Sequence, residues 1–162
     1  MESCCEAGPE GARGGRERCP SCGSNGRDLD EITLKALLTP QALPRLEGSR
    51  YRFCPSPACP VVYFGADVVF GRDDVTVPVF QKEASGCRTV CYCFDIREDR
   101  ILQEVHASGA SPSAERIKAW VHAGRCACEV RNPQGTCCLG NVATVVASAP
   151  APVAAQASPV TA

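Results

Sequence analysis

The stretch "YRFCPSPACPVVYF", residues 51–64, decides how the first part of this chain folds. Two short runs rich in aromatic and β-branched residues, "YRFC" and "VVYF", flank the proline-stiffened "CPSPAC". Such runs suit the pleated surface of a strand. Between them Cys54 and Cys59 stand at C-x4-C spacing, as in a ribbon-like hairpin that carries metal ligands. Pro55 and Pro57 stiffen that knuckle, so less entropy is lost when it closes on a ligand. Further toward the N-terminus, "CPSC" supplies Cys19 and Cys22 at C-x2-C spacing, followed by Gly23. Both spacings belong to structural zinc sites, in which short turns gather four thiolates around one tetrahedral ion. A closed four-thiolate shell leaves no position for a substrate. Zinc at Cys19, Cys22, Cys54 and Cys59 is therefore expected to be structural.

Two further runs, "DVVF" and "VTVPVF", read as strands separated by Gly, Pro and Asp turns, and a short helix is expected near Pro40–Glu47. Beyond residue 88 the pattern turns helical. "DIREDRILQEVHASG" puts Ile101, Leu102 and Val105 on one face and ends at Gly109, and Asp95 with Glu98 has capping-box spacing. "SPSAERIKAWVHAG" has Ser111 as N-cap, Pro112 at the first helical position, an Ile117/Trp120/Val121 face and Gly124 as terminator. A last helix is expected from near Cys138 through "LGNVATVVASA" until Pro150. The fold class is α+β. A small β-rich, zinc-ribbon-like part (18–87) precedes a helical part (88–149), between disordered tails at 1–17 and 150–162. Aromatics make up only 6% of the chain, so neither part is expected to hold a large apolar core, and metals could serve as staples.

Thirteen cysteines in 162 residues raise the alternative of disulfides. The count is odd, the start "MESCCEAGPEGARGGRERCP" has no apolar leader core, and a reducing compartment is expected. Metal ligation is the favoured reading. Seventeen basic against 18 acidic residues give no footprint for nucleic acid, and prolines interrupt the most apolar stretch, so no membrane insertion is expected. The chain reads as soluble and cytoplasmic.

A second constellation lies beyond the first. Cys91 and Cys93 form C-x-C, whose side chains point the same way on an extended segment and could clasp one iron. That spacing is unusual for structural zinc and suits an iron–sulfur cluster. A [2Fe–2S] cluster takes four thiolates, so two more ligands come from among Cys126, Cys128, Cys137 and Cys138. The turn "NPQG", residues 132–135, brings the second pair round. With Cys93 just before one helix and Cys138 opening another, helix N-termini would direct N–H groups at an anionic cluster.

"YRFCPSPACPVVYF", "TVCYCF" and "CACEVRNPQGTCCLGNV" together resemble the CopZ zinc-binding-domain family, which includes the N-terminal domain of an archaeal copper chaperone. The second part is also similar to the bacterioferritin-associated ferredoxin fold. The resemblance covers roughly residues 18–147. It implies zinc on Cys19, Cys22, Cys54 and Cys59, and a [2Fe–2S] cluster on Cys91, Cys93, Cys128 and Cys138. It further implies electron transfer in copper homeostasis, reducing Cu(II) to Cu(I) for a copper chaperone and a copper-exporting P-type ATPase. The family's C-terminal ferredoxin-like domain with a C-x-x-C copper site is not matched here, where a Pro/Ala segment follows instead.

Cys4, Cys5, Cys87, Cys126 and Cys137 are left without a role, although the Cys4–Cys5 pair could hold a soft cation. His106 and His122 read as surface residues, and Tyr92 and Trp120 as packing residues. No paired carboxylates, Ser/His arrangement or phosphate loop marks an enzyme. Two functions remain: a metallochaperone-type electron-transfer protein, and a metal-stabilised regulatory or partner-binding module without copper chemistry.

Overall fold

A computed structural model of the chain describes residues 17–150 except Ser49. Nearly all of both expected tails, and the Cys4–Cys5 pair, lie outside the described residues.

The first part is a four-stranded antiparallel sheet in the order β1–β2–β3–β4, formed by Arg27–Leu29, Tyr51–Phe53, Val61–Phe64 and Val69–Gly71. "YRFC" and "VVYF" pair as β2 and β3, with Phe53 opposite Tyr63, so "CPSPAC" becomes their connection. β1 pairs with β2, which brings the "CPSC" turn to the same end of the sheet. Helix α1, Glu31–Leu37, follows β1 and packs Leu34 and Leu37 into the core. The aromatics are few but concentrated: Tyr51, Phe53, Tyr63, Phe64 and Phe70 are all fully buried on this sheet. The first part thus has a larger apolar core than composition suggested.

Several expectations are corrected. The expected helix near Pro40–Glu47 is one 3-10 turn, Leu43–Arg45, with Pro44 inside it. The α-helix instead occupies "EITLKAL", ahead of it. "VTVPVF" is not a strand: Val75 makes a single bridge to Leu38, and the run ends in a 3-10 turn at Phe80–Lys82. Pro78 has no N–H to give a ladder, which limits pairing there.

The second part opens with a short hairpin, β5 (Thr89–Cys91) and β6 (Ile96–Arg97). Three helices follow with a one-turn helix among them: α2 (Glu98–Ser108), α3 (Pro112–His122), α4 (Cys128–Arg131) and α5 (Leu139–Ser148). α2, α3 and α5 pack around Ile101, Val105, Ile117, Val142 and Val145. Gly109 ends α2 at φ +74°, the left-handed conformation a helix stop requires. Ser111 caps α3 by accepting from the Ala114 N–H. Asp95 and Glu98 do not form a capping box. Asp95 sits at φ +51° in the hairpin turn, and Arg97 holds the cap position. Glu98 is instead fully buried, accepting from Arg88, the Ser85 hydroxyl and the Gly86 N–H. Those partners outweigh the cost of burial and hold its carboxyl below the usual range.

The two parts touch. The Thr33 hydroxyl of α1 donates 2.6 Å to the Glu129 carbonyl of α4. Gly135, at φ +67°, lies so close to α1 that a Cβ there would meet Leu29 Cδ2 at 2.3 Å. Glycine is required on both counts.

Candidate metal centres

The first site grows from two tight turns. In the first, the Gly23 N–H returns to the Cys19 carbonyl and the Cys19 N–H to the Ser24 carbonyl, so Cys19 and Cys22 face one side. In the second, the Cys54 N–H holds the Val62 carbonyl and the Cys59 N–H the Ser56 carbonyl. Sγ of Cys19 lies 3.7 Å from Sγ of Cys59, and Sγ of Cys22 lies 3.6 Å from Sγ of Cys54. All four sulfurs fall within 4.8 Å of one another. An ion with Zn–S near 2.3 Å needs sulfurs about 3.8 Å apart at tetrahedral angles. The residues fit zinc.

Electrostatics divide this set. Burial pushes the Cys54 thiol up to about 12 and raises Cys19 as well. Exposed Cys22 is drawn down to about 6 by hydrogen bonds from Ser24. A cation must displace protons from the buried thiols, so binding strengthens as pH rises.

The second set is arranged otherwise. Cys91 ends β5, Cys93 lies in the hairpin turn, Cys128 opens α4, and Cys138 is the residue before α5. Sγ of Cys93 lies 3.8 Å from Sγ of Cys128 and accepts from the Ala127 N–H at 3.3 Å. The contact with Cys138, aided by the Phe94 and Cys93 N–H groups, holds Cys91 at about 7 against the effect of burial. Cys138 is driven up, first by the contact with Cys91 and then by burial; burial also raises Cys128.

Cys93 reaches across to Cys128, and the chain bends immediately after β5. Cys93 does not precede a helix directly: β6 lies between. Among the described residues, no three of these four sulfurs gather within 4.8 Å, unlike the first set. Four thiols spread wider than one tetrahedron, with Cys93 and Cys128 3.8 Å apart, are a donor set that fits a binuclear cluster with two thiolates on each iron.

Of the other cysteines, Cys126 is half-buried next to the site, and Cys137 and Cys87 are exposed. His106 and His122 are exposed on α2 and α3. Tyr92 is a packing residue whose hydroxyl donates to the Pro78 carbonyl and accepts from the Phe80 N–H. Trp120 stacks on Phe94 at 4.6 Å.

Sequence reasoning missed the polar groups that shape the loop before Cys138. Asn132 and Gln134 are buried within "NPQG". Asn132 Nδ2 donates 2.7 Å to the Thr136 carbonyl, and Gln134 Nε2 donates 3.0 Å to the Cys137 carbonyl. Gln81 and Asn141 in turn donate to Gln134 Oε1. With these carbonyls held, Cys138 faces inward and Cys137 outward. Only the turn itself was legible in the sequence.

Residues 16–76 match the family model described as a zinc binding domain, that of the CopZ family. Over these residues the chain belongs to the CopZ zinc-binding-domain family. It is 31% identical over 125 residues to the copper chaperone CopZ of Archaeoglobus fulgidus. The match takes in 75% of this chain and 57% of that relative, so the chain spans a little over half its length. The X-ray structure of the Archaeoglobus fulgidus CopZ N-terminal domain superposes with a TM-score of 0.67 at 27% identity, covering 79% of this chain and 96% of that domain. Among the described residues no helix is long and apolar enough to cross a membrane.

Proposed function

We propose that this protein is a metallochaperone-type electron-transfer protein that binds structural zinc and a [2Fe–2S] cluster and serves in the reduction of Cu(II) to Cu(I). The observation that carries the reading is the difference between its two cysteine sets, one gathered within 4.8 Å as a tetrahedron and the other spread more widely, with Cys93 and Cys128 3.8 Å apart. Cys19, Cys22, Cys54 and Cys59 hold zinc. Cys91, Cys93, Cys128 and Cys138 hold the cluster. When bound, such a cluster supplies one electron at a time, the stoichiometry of Cu(II) going to Cu(I).

The chain's own residues supply the setting. The Ala127 N–H, together with the Phe94 and Cys93 N–H groups near Cys91, favours thiolate over thiol. Burial of Cys91, Cys128 and Cys138 keeps water from the donor atoms. Exposed Cys137 offers a soft sulfur beside the site, and thiolates prefer Cu(I) to Cu(II). The similarity to a copper chaperone makes copper the favoured substrate, and a cytoplasmic chaperone and a copper-exporting P-type ATPase the favoured recipients.

Anaerobic purification should yield about two iron, two sulfide and one zinc per chain. The reduced protein is then mixed with Cu(II) and a Cu(I)-specific chelator. One Cu(I) should form for each cluster reoxidised, and the Cys91→Ser protein should give far less. Full yield from a cluster-free variant would assign the reduction to free thiols and end the redox reading.

A further inference from the structure

A buried ammonium group stands beside the four-cysteine site, and no carboxylate among the described residues pairs with it. Lys82 closes the 3-10 turn Phe80–Lys82 and is only 4% exposed. Its Nζ donates 2.6 Å to the Ser56 carbonyl, inside the Cys54–Cys59 knuckle. Among the described residues, the ion pairs join other partners and none includes Lys82. Burying a charge is costly unless an opposite charge answers it.

The cysteine site would provide that charge. Four thiolates around a divalent ion carry a net charge of about −2. Three of the four sulfur-bearing residues are buried, so water cannot fully solvate that charge. The turn is also fixed on its other side, where Gln81 hydrogen-bonds Gln134.

We propose that Lys82 is the counter-cation and positioning residue of the four-cysteine site, holding the second knuckle through Ser56 and offsetting the negative charge the site gains with Zn2+. The inference rests on the reading of Cys19, Cys22, Cys54 and Cys59 as a zinc site.

The test uses the full chain, with Zn2+ affinity measured by competition with a chromogenic chelator. Co2+ replacing Zn2+ reports four-sulfur coordination through its charge-transfer bands. Lys82→Gln keeps a hydrogen-bond donor but loses the charge, and should weaken Zn2+ binding about tenfold or more. Lys82→Arg restores the charge and should recover most of that loss. Lys35→Gln, at an exposed i,i+4 pair with Glu31, should stay within about twofold of wild type. Wild-type affinity in Lys82→Gln, or an Arg variant no tighter than the Gln variant, would overturn the charge role. If Lys82→Gln does not fold, a folded Lys82→Arg with near-native affinity supports the proposal, and an unfolded one overturns it in favour of simple packing. A wild-type protein that takes up no Zn2+, or lacks the four-sulfur Co2+ spectrum, would sink the zinc-site reading itself.

Discussion

Cys137 and Cys138 are neighbours of identical chemistry, yet the fold treats them oppositely. Cys138 is 1% exposed, whereas Cys137 is exposed. Successive residues project in different directions, so the loop can offer only one of them to the interior. The Asn132 and Gln134 amides select which one by holding the carbonyls of Thr136 and Cys137. Cys138→Ser should lose or shift the visible absorption of a bound cluster. Cys137→Ser should stay close to wild type in the same spectrum. The reverse pattern would move the ligand assignment to Cys137.

At the scale of elements, α2 and α3 are joined by a carboxylate. Glu104 of α2 accepts from the Ser111 hydroxyl at 2.6 Å, the Ser113 N–H at 2.8 Å and the Ser113 hydroxyl at 2.7 Å. A negative charge at the start of α3 also suits the helix dipole. Burial alone would raise this carboxyl, but the Ser111 and Ser113 bonds win and hold it at about 2. A depressed carboxylate stabilises the fold above its unfolded pKa, and the benefit is lost as pH falls toward the folded value. Glu104→Gln should therefore cost ~2 kcal/mol at pH 7 in urea unfolding. The gap from wild type should shrink by about half near pH 3. A gap that stayed constant from pH 7 to pH 3 would show that shape, not charge, makes the joint.

At the scale of the whole molecule, the first sheet and the second site meet where the "NPQG" turn passes α1. Gly135 is fixed there by its positive φ and by its closeness to Leu29 and Thr33. Gly135→Ala would meet both obstacles. The left-handed conformation alone costs about 1–2 kcal/mol for a residue with a Cβ. The expected loss is ~2 kcal/mol or more of unfolding free energy, with faster loss of any cluster signal because the loop holding Cys138 is displaced. Zinc content should be little changed, since Cys19, Cys22, Cys54 and Cys59 lie on other turns. Zinc and cluster lost together would indicate that the two parts unfold as one unit.

The sequence alone determined the features governed by local chemistry. The C-x2-C and C-x4-C knuckles, the β2–β3 hairpin, the Ser111 cap and the Gly109 stop each depend on residues a few positions apart. The helical second part was equally legible, because periodic apolar faces write themselves into the chain. Three things required the tertiary structure. Strand β1 is only "RDL", too short and polar to announce itself, and it exists because β2 offers a partner. Glu98 had the spacing of a cap but became the buried partner of Arg88, a contact set by how β5 meets α2. Cys93 and Cys128 stand 35 residues apart in the sequence, and only the packing of the hairpin beside α4 brings their sulfurs to 3.8 Å. In each case the deciding energy comes from a neighbour distant in sequence, and no local pattern records which neighbour that is.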